Sequence, residues 1–182
     1  LETATTMPQT AELERDARFA AFVEAHRAQA VSTAWRLMGG DAAAAEDVAQ
    51  DAFIAAHRAL PSFRGDAKLS TWFYRILVRQ AARQRRKQAV RSKVAWLWGQ
   101  DADAHTETIH GDHSLQKRIA RALDGLSAGQ RETFVLVHLE GLTITETADV
   151  LGRAPGTIKS HLHRALVRLR AELGDLHEGR IS

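Results

Sequence analysis

Three groups of side chains in this sequence combine types and spacings that could do work. Arg75, Arg79, Arg83 and Arg86 or Lys87 recur every three or four residues, so a helix would line them up as one cationic stripe about four turns long. Such a stripe suits a polyanion. Gly156 to Ala165 is a polar run in which Thr157, Lys159, Ser160, His161, His163 and Arg164 offer donors, with Arg153 just ahead of them. On a helix entering a DNA groove, residues of these kinds would meet base edges and phosphates. The third group, Glu46, Asp47, Gln50 and Asp51, collects acids and amides on one outer helical face. Solvation alone accounts for most such faces.

Catalytic constellations are absent from the sequence. There is no Gly-rich phosphate loop, no G-x-S-x-G elbow and no H-E-x-x-H pair. With no Cys, disulfides, thiolate zinc sites and cysteine nucleophiles are excluded. His105, His110 and His113 with Asp112 are the best metal candidates, but they lie on an acidic stretch without helical periodicity, and no metal or cofactor is expected.

The elements that must carry these groups are helices. Apolar residues recur at three and four residue spacings and strand signals are nearly missing, which predicts an all-α chain. A first helix spans about Ala11 to Met38, with Phe19, Phe22, Ala34 and Trp35 on its buried side, and stops at Gly39-Gly40. Asp41 caps a second, which buries Val48, Ala52 and Phe53 and ends at Pro61. A loop through Phe63, Arg64 and Gly65 leads to a third helix anchored by Leu69, Phe73, Ile76 and Leu77. The spacing of Trp72 from these residues favours a core role. Periodicity fails after Val90.

These signals predict two small helical domains, residues 11–87 and 114–176, joined by a flexible linker, 88–113. In the second, Ser127 with Gln130 and Thr143 with Glu146 form two capping boxes. A helix from Thr143 to Leu151, a turn at Gly152-Arg153-Ala154 and a helix starting near Pro155 follow helix-turn-helix grammar. Ile144, Val150, Leu151, Ile158, Leu162 and Leu166 supply its core.

Charge is laid down in blocks. Residues 1–60 carry 5 bases and 9 acids, residues 61–93 carry 10 bases and 1 acid, and residues 94–114 carry 4 acids and no base. Different faces are therefore expected to meet different partners. No apolar run is long enough to span a bilayer and no secretory signal is evident, so no membrane insertion and a cytoplasmic location are expected. Leu1 to Thr6 reads as a tag remnant, with Met7 the native start.

Two blocks resemble one family, the extracytoplasmic-function sigma factors of bacterial RNA polymerase. Ala45 to Phe53, Phe63-Arg64-Gly65 and Thr71 to Ile76 are similar to its second conserved region. Leu123 to Ser127, Gln130-Arg131-Glu132, Glu140 to Thr143, Ala148, Leu151-Gly152 and Gly156 to Ser160 are similar to its fourth. The resemblance implies a promoter-specificity subunit without catalysis of its own. It implies that Glu46, Asp47, Gln50 and Asp51 grip the clamp helices of core polymerase, that the polymerase flap is also contacted, and that an anti-sigma factor is a further partner. It assigns Phe63, Arg64, Lys68, Arg75, Arg79, Arg83, Arg86 and Lys87 to minus-ten DNA, and Arg153, Thr157, Lys159, Ser160, His161, His163 and Arg164 to minus-thirty-five DNA. Relatives often carry Asn and Asp at the positions of Arg79 and Arg83, and Arg at that of His161, so altered base preferences are expected.

The rival functions are a free-standing helix-turn-helix regulator, a sigma-like decoy that binds only protein, and a metal-dependent nuclease using the linker histidines. Trp96-Leu97-Trp98 is costly to leave in water, because burying each aromatic is worth roughly 1.5 to 3 kcal/mol. The patch is therefore expected to pack on the protein's own helices in the free state.

Overall fold

The computed structural model describes residues 6–98 and 113–174, apart from the side chains of residues 6–11, 113, 114 and 116. The expected tag remnant, except the backbone of Thr6, and the candidate ligands His105, His110 and Asp112 lie outside the described residues, as does the side chain of His113. No strand occurs among the described residues. The protein is all-α, built as two small helical domains.

The first domain is a three-helix bundle of α1 (Thr6–Leu37), α2 (Ala42–Ala59) and α3 (Leu69–Leu97). Asp41 caps α2 by accepting a 2.9 Å hydrogen bond from the Ala44 amide, as its position predicts. Small residues let α2 sit close against its neighbours, with Ala45, Ala52 and Ala56 fully buried. Phe73 stacks on Phe53 at a ring separation of 4.6 Å and meets Phe22 edge-on at 5.5 Å, which knits α1, α2 and α3 together.

The stretch read as the start of a linker is largely helix, since α3 continues to Leu97. Among the described residues nothing covers the end of α3, and Val90, Val94 and Leu97 are exposed. A run of Arg, Lys, Gln and Ala keeps the segment helical through propensity instead. The expected self-packing of the tryptophan patch is also corrected: Trp96 and Trp98 are 78% and 79% exposed.

The second domain comprises α4 (His113–Asp124), α5 (Ala128–Phe134), α6 (Ile144–Leu151) and α7 (Pro155–Leu173). Both capping boxes form, Ser127 with Gln130 and Thr143 with Glu146. A π-helical turn, Val135–Leu139, follows α5 and leads to Glu140. Gly152 closes α6 at φ 62°, the left-handed conformation a Cβ resists, and Pro155 opens α7. Ala122, Leu123, Leu126, Ala165 and Leu169 form this domain's own core.

The two domains also pack together. Val135, Leu136, Leu142 and Val150 join the same buried cluster as Leu37, Phe73 and Leu77. Arg131, 1% exposed, donates to the carbonyls of Leu123, Asp124 and Leu126 in its own domain and to that of Leu37 at 3.2 Å. One guanidinium thus satisfies helix-end carbonyls on both sides of the boundary. Burial, and then the charge of Arg85, lower its pKa.

Candidate nucleic-acid and protein interfaces

The acidic face of α2 follows directly from its packing. With Ala45, Val48, Ala49 and Ala52 turned inward, Glu46, Asp47, Gln50 and Asp51 are all exposed on the other side. Ile54, 41% exposed, continues that face one turn beyond Gln50. Sequence reasoning missed it, although an apolar residue at the end of a polar stripe was a legible signal.

The cationic stripe divides into two environments. Arg79, Arg83, Arg86 and Lys87 are exposed, as are Arg64 and Lys68 at the approach to α3. Arg75 is half-buried, and with Arg79 it lines a cleft of about 370 Å³ whose far wall holds Glu132, Asp149 and the end of α6. The cleft therefore sets two cations of the first domain against two carboxylates of the second. Burial pushes the Glu132 carboxyl upward, opposed by Arg153, Arg85 and Arg131. Phe63 is half-buried, its ring 5.1 Å from that of Trp72, and both pack at the edge of the core.

On α7, Thr157, Lys159, Ser160, His163 and Arg164 form an exposed face, while Ile158 and Ala165 are buried. The Ser160 hydroxyl donates back to the Gly156 carbonyl at 3.0 Å. His161 and Arg153 are turned differently from the rest of their set. The His161 ring lies over Gly129 of α5, where an added Cβ would stand 2.9 Å from Cε1 and would also strike the Arg153 guanidinium. Arg153 in turn reaches Glu132 Oε2 at 3.5 Å. Desolvation, then Arg153 and Arg164, lower the His161 pKa. The half-buried His161 ring thus lies against α5, and the side chains of Thr157, Lys159, Ser160, His163 and Arg164 beside it are exposed.

A polar centre between the domains escaped sequence reasoning. The Glu140 side chain is fully buried and accepts from Gln29 Nε2, Thr33 Oγ1 and Tyr74 OH, each at 2.6 Å, with Arg36 Nη1 at 3.7 Å. Burial and this carboxylate raise the Tyr74 pKa. Its partners are 66 to 111 residues away in the chain, so only its position ahead of the left-handed Gly141 marked it. No cluster of three or more metal-ligating side chains occurs among the described residues.

The sigma-70 region 2 model matches residues 22–91 and the sigma-70 region 4 model matches residues 116–169. The chain is 39% identical over 139 residues to the ECF RNA polymerase sigma factor SigM of Mycobacterium tuberculosis, spanning 74% of this chain and 67% of that protein. Its structure is similar to the sigma factor RpoE in complex with the anti-sigma factor NepR from Bartonella quintana, with a TM-score of 0.72 at 29% identity over 86% of this chain and 97% of that one. It is also similar to CnrH in complex with the cytosolic domain of CnrY, with a TM-score of 0.62 at 28% identity over 86% and 88% of the two chains.

Proposed function

The chain belongs to the extracytoplasmic-function sigma factors of the sigma-70 family, and we propose a division of labour among its faces on that premise. It is an alternative sigma factor: it joins core RNA polymerase and directs initiation at particular promoters. The observation that carries this conclusion is the pairing of a region 2 match with a region 4 match, in that order, on one chain. A free-standing helix-turn-helix regulator would need only the second.

In this reading residues 11–87 form the domain for polymerase binding and minus-ten DNA, residues 114–176 the domain for minus-thirty-five DNA, and residues 88–113 the connection. Glu46, Asp47, Gln50 and Asp51, with Ile54 at their edge, dock on the clamp helices, and the second domain meets the flap. An exposed acidic face with an apolar margin supports that assignment.

Opening a promoter costs roughly a few kcal/mol for each base unstacked, so the factor must repay it with a cationic track and a pocket for an extruded base. Arg79, Arg83, Arg86 and Lys87 supply the track, and the Phe63 loop with Arg64 and Lys68 borders the pocket. Thr157, Lys159, Ser160, His163 and Arg164 of α7 face the minus-thirty-five groove, while His161 and Arg153 orient the helix. The chain supplies specificity and the polymerase supplies catalysis, in the cytoplasm where that enzyme works.

Arg75, half-buried in the cleft it shares with Arg79, Glu132 and Asp149, is less accessible to DNA than the exposed Arg79, Arg83, Arg86 and Lys87. The chain's likeness to the sigma factor RpoE held in a complex with the anti-sigma factor NepR supports an anti-sigma partner here as well. Run-off transcription with core enzyme and genomic DNA tests the whole reading: new start sites that depend on this protein are expected, and their absence would overturn it.

A further inference from the structure

The last turns of α3 serve in the reading above only as part of the connection between the domains. Gln88 Nε2 donates to Asp41 Oδ2 at 3.0 Å, and beyond this tether the helix projects from the bundle as far as Leu97, about 14 Å at 1.5 Å per residue. Along it Val90, Val94, Leu97 and Trp98 are 61%, 48%, 71% and 79% exposed. Their register is informative. Steps of three and four residues run from Arg79 through Arg83, Arg86, Val90 and Val94 to Leu97, so the apolar ridge is collinear with the cationic stripe. Arg91 and Lys93 flank the ridge on either side, and no acid occurs anywhere between Leu69 and Leu97.

We propose that the end of α3 is a stacking platform for single-stranded DNA, continuing the track that holds the melted strand; the inference rests on the reading of Arg79 to Lys87 as that track. A single strand offers what this surface lacks: anionic phosphates for Arg86, Arg91 and Lys93, and unpaired base faces for Trp98 and the ridge beside it. A duplex fits poorly, because its bases are stacked on one another and present only their edges. A protein surface fits less well than a strand because the ridge is narrow, bordered by cations on both sides and in line with the stripe. From Arg79 to Trp98 the helix spans about 28 Å, enough for a few nucleotides and so in keeping with the smaller single-strand sites of roughly 4 nucleotides.

The test uses the full chain and a labelled oligo-dT of about 15 nucleotides, within the range of known single-strand sites. Anisotropy is expected to show binding that Trp98→Ala weakens by roughly tenfold, that Trp98→Phe largely keeps, and that a duplex of equal length does not reproduce. In a Trp35→Phe/Trp72→Phe variant, the oligonucleotide is expected to quench the remaining emission of Trp96 and Trp98. Three results would overturn the platform in distinguishable ways. Oligonucleotide binding that falls with Arg83→Ala/Arg86→Ala but ignores Trp98→Ala, with emission unchanged, would remove the platform and leave the cationic track standing. Loss of core-polymerase capture in Trp98→Ala with strand binding intact would assign the ridge to a protein partner. No binding of the oligonucleotide at low salt would take the track and the platform away together.

Discussion

The Tyr74 hydroxyl donates a 2.6 Å hydrogen bond to Oε2 of Glu140, joining the second turn of α3 to the residue that leads into the helix-turn-helix, 66 positions later. Thr33 and Gln29 bind the same carboxylate from α1, so three hydrogen bonds from the first domain converge on one acid of the second. A buried carboxylate is expensive unless its lone pairs are filled, and this one is filled only while the domains touch. The interface therefore depends on a polar contact that an opened chain can replace with water.

Removing one donor should loosen the packed form without unfolding either domain. Tyr74→Phe is expected to cost the interface roughly 1.5 to 3 kcal/mol, the scale for a hydrogen bond to a charged group. Glu140→Ala should cost more, because the whole network is lost. Small-angle scattering is expected to show a larger radius of gyration at unchanged helical circular dichroism, and an unaltered envelope for Glu140→Ala would deny the network this role.

Reversing charge on α2 tests the polymerase face. Asp47→Lys/Asp51→Lys should abolish capture of core enzyme, and Ile54→Asp should weaken it, while both variants keep the wild-type melting temperature because all three side chains are exposed. Undiminished capture would remove this face from the reading.

Lys159 is exposed on α7 and is expected to meet a backbone phosphate. Lys159→Ala should weaken binding to all minus-thirty-five sequences by a similar factor and lower the slope of log affinity against log salt by about one unit. A loss confined to one base position would show Lys159 reading sequence instead.

His161 predicts a pH response of the fold. Its folded pKa lies below the usual histidine value because it is desolvated and faces Arg153 and Arg164. On acidification the unfolded chain therefore takes up the proton first. The stability this residue contributes is present above about pH 6.5 and is lost as pH falls towards its lower folded value. The melting temperature should fall between about pH 7.5 and 5.5, and His161→Leu should show a smaller fall over that range. An equal fall in both proteins would place the sensitivity elsewhere.

Much of this architecture was legible because its determinants are local. The Asp41 cap, the two capping boxes and the Gly152 turn each involve residues a few positions apart, so residue type and spacing suffice to predict them. The same holds for the outward face of α2, fixed once its buried stripe is known. Burial logic failed at Trp96-Leu97-Trp98, because the cost of exposing a side chain says nothing about whether a partner surface lies within reach.

The sequence by itself determined the helices, the helix-turn-helix and the alternation of acidic and basic faces, since these follow from backbone capping and from periodicity within single elements. Only the tertiary structure decided which side chains are free to act. It turned His161 and Arg153 of the helix-turn-helix towards α5, set Arg75 and Arg79 across a cleft from Glu132 and Asp149, and buried Glu140 among donors from two other helices. Each of these outcomes depends on which surfaces meet across tens of residues of chain, and helical periodicity carries no record of a partner outside its own helix.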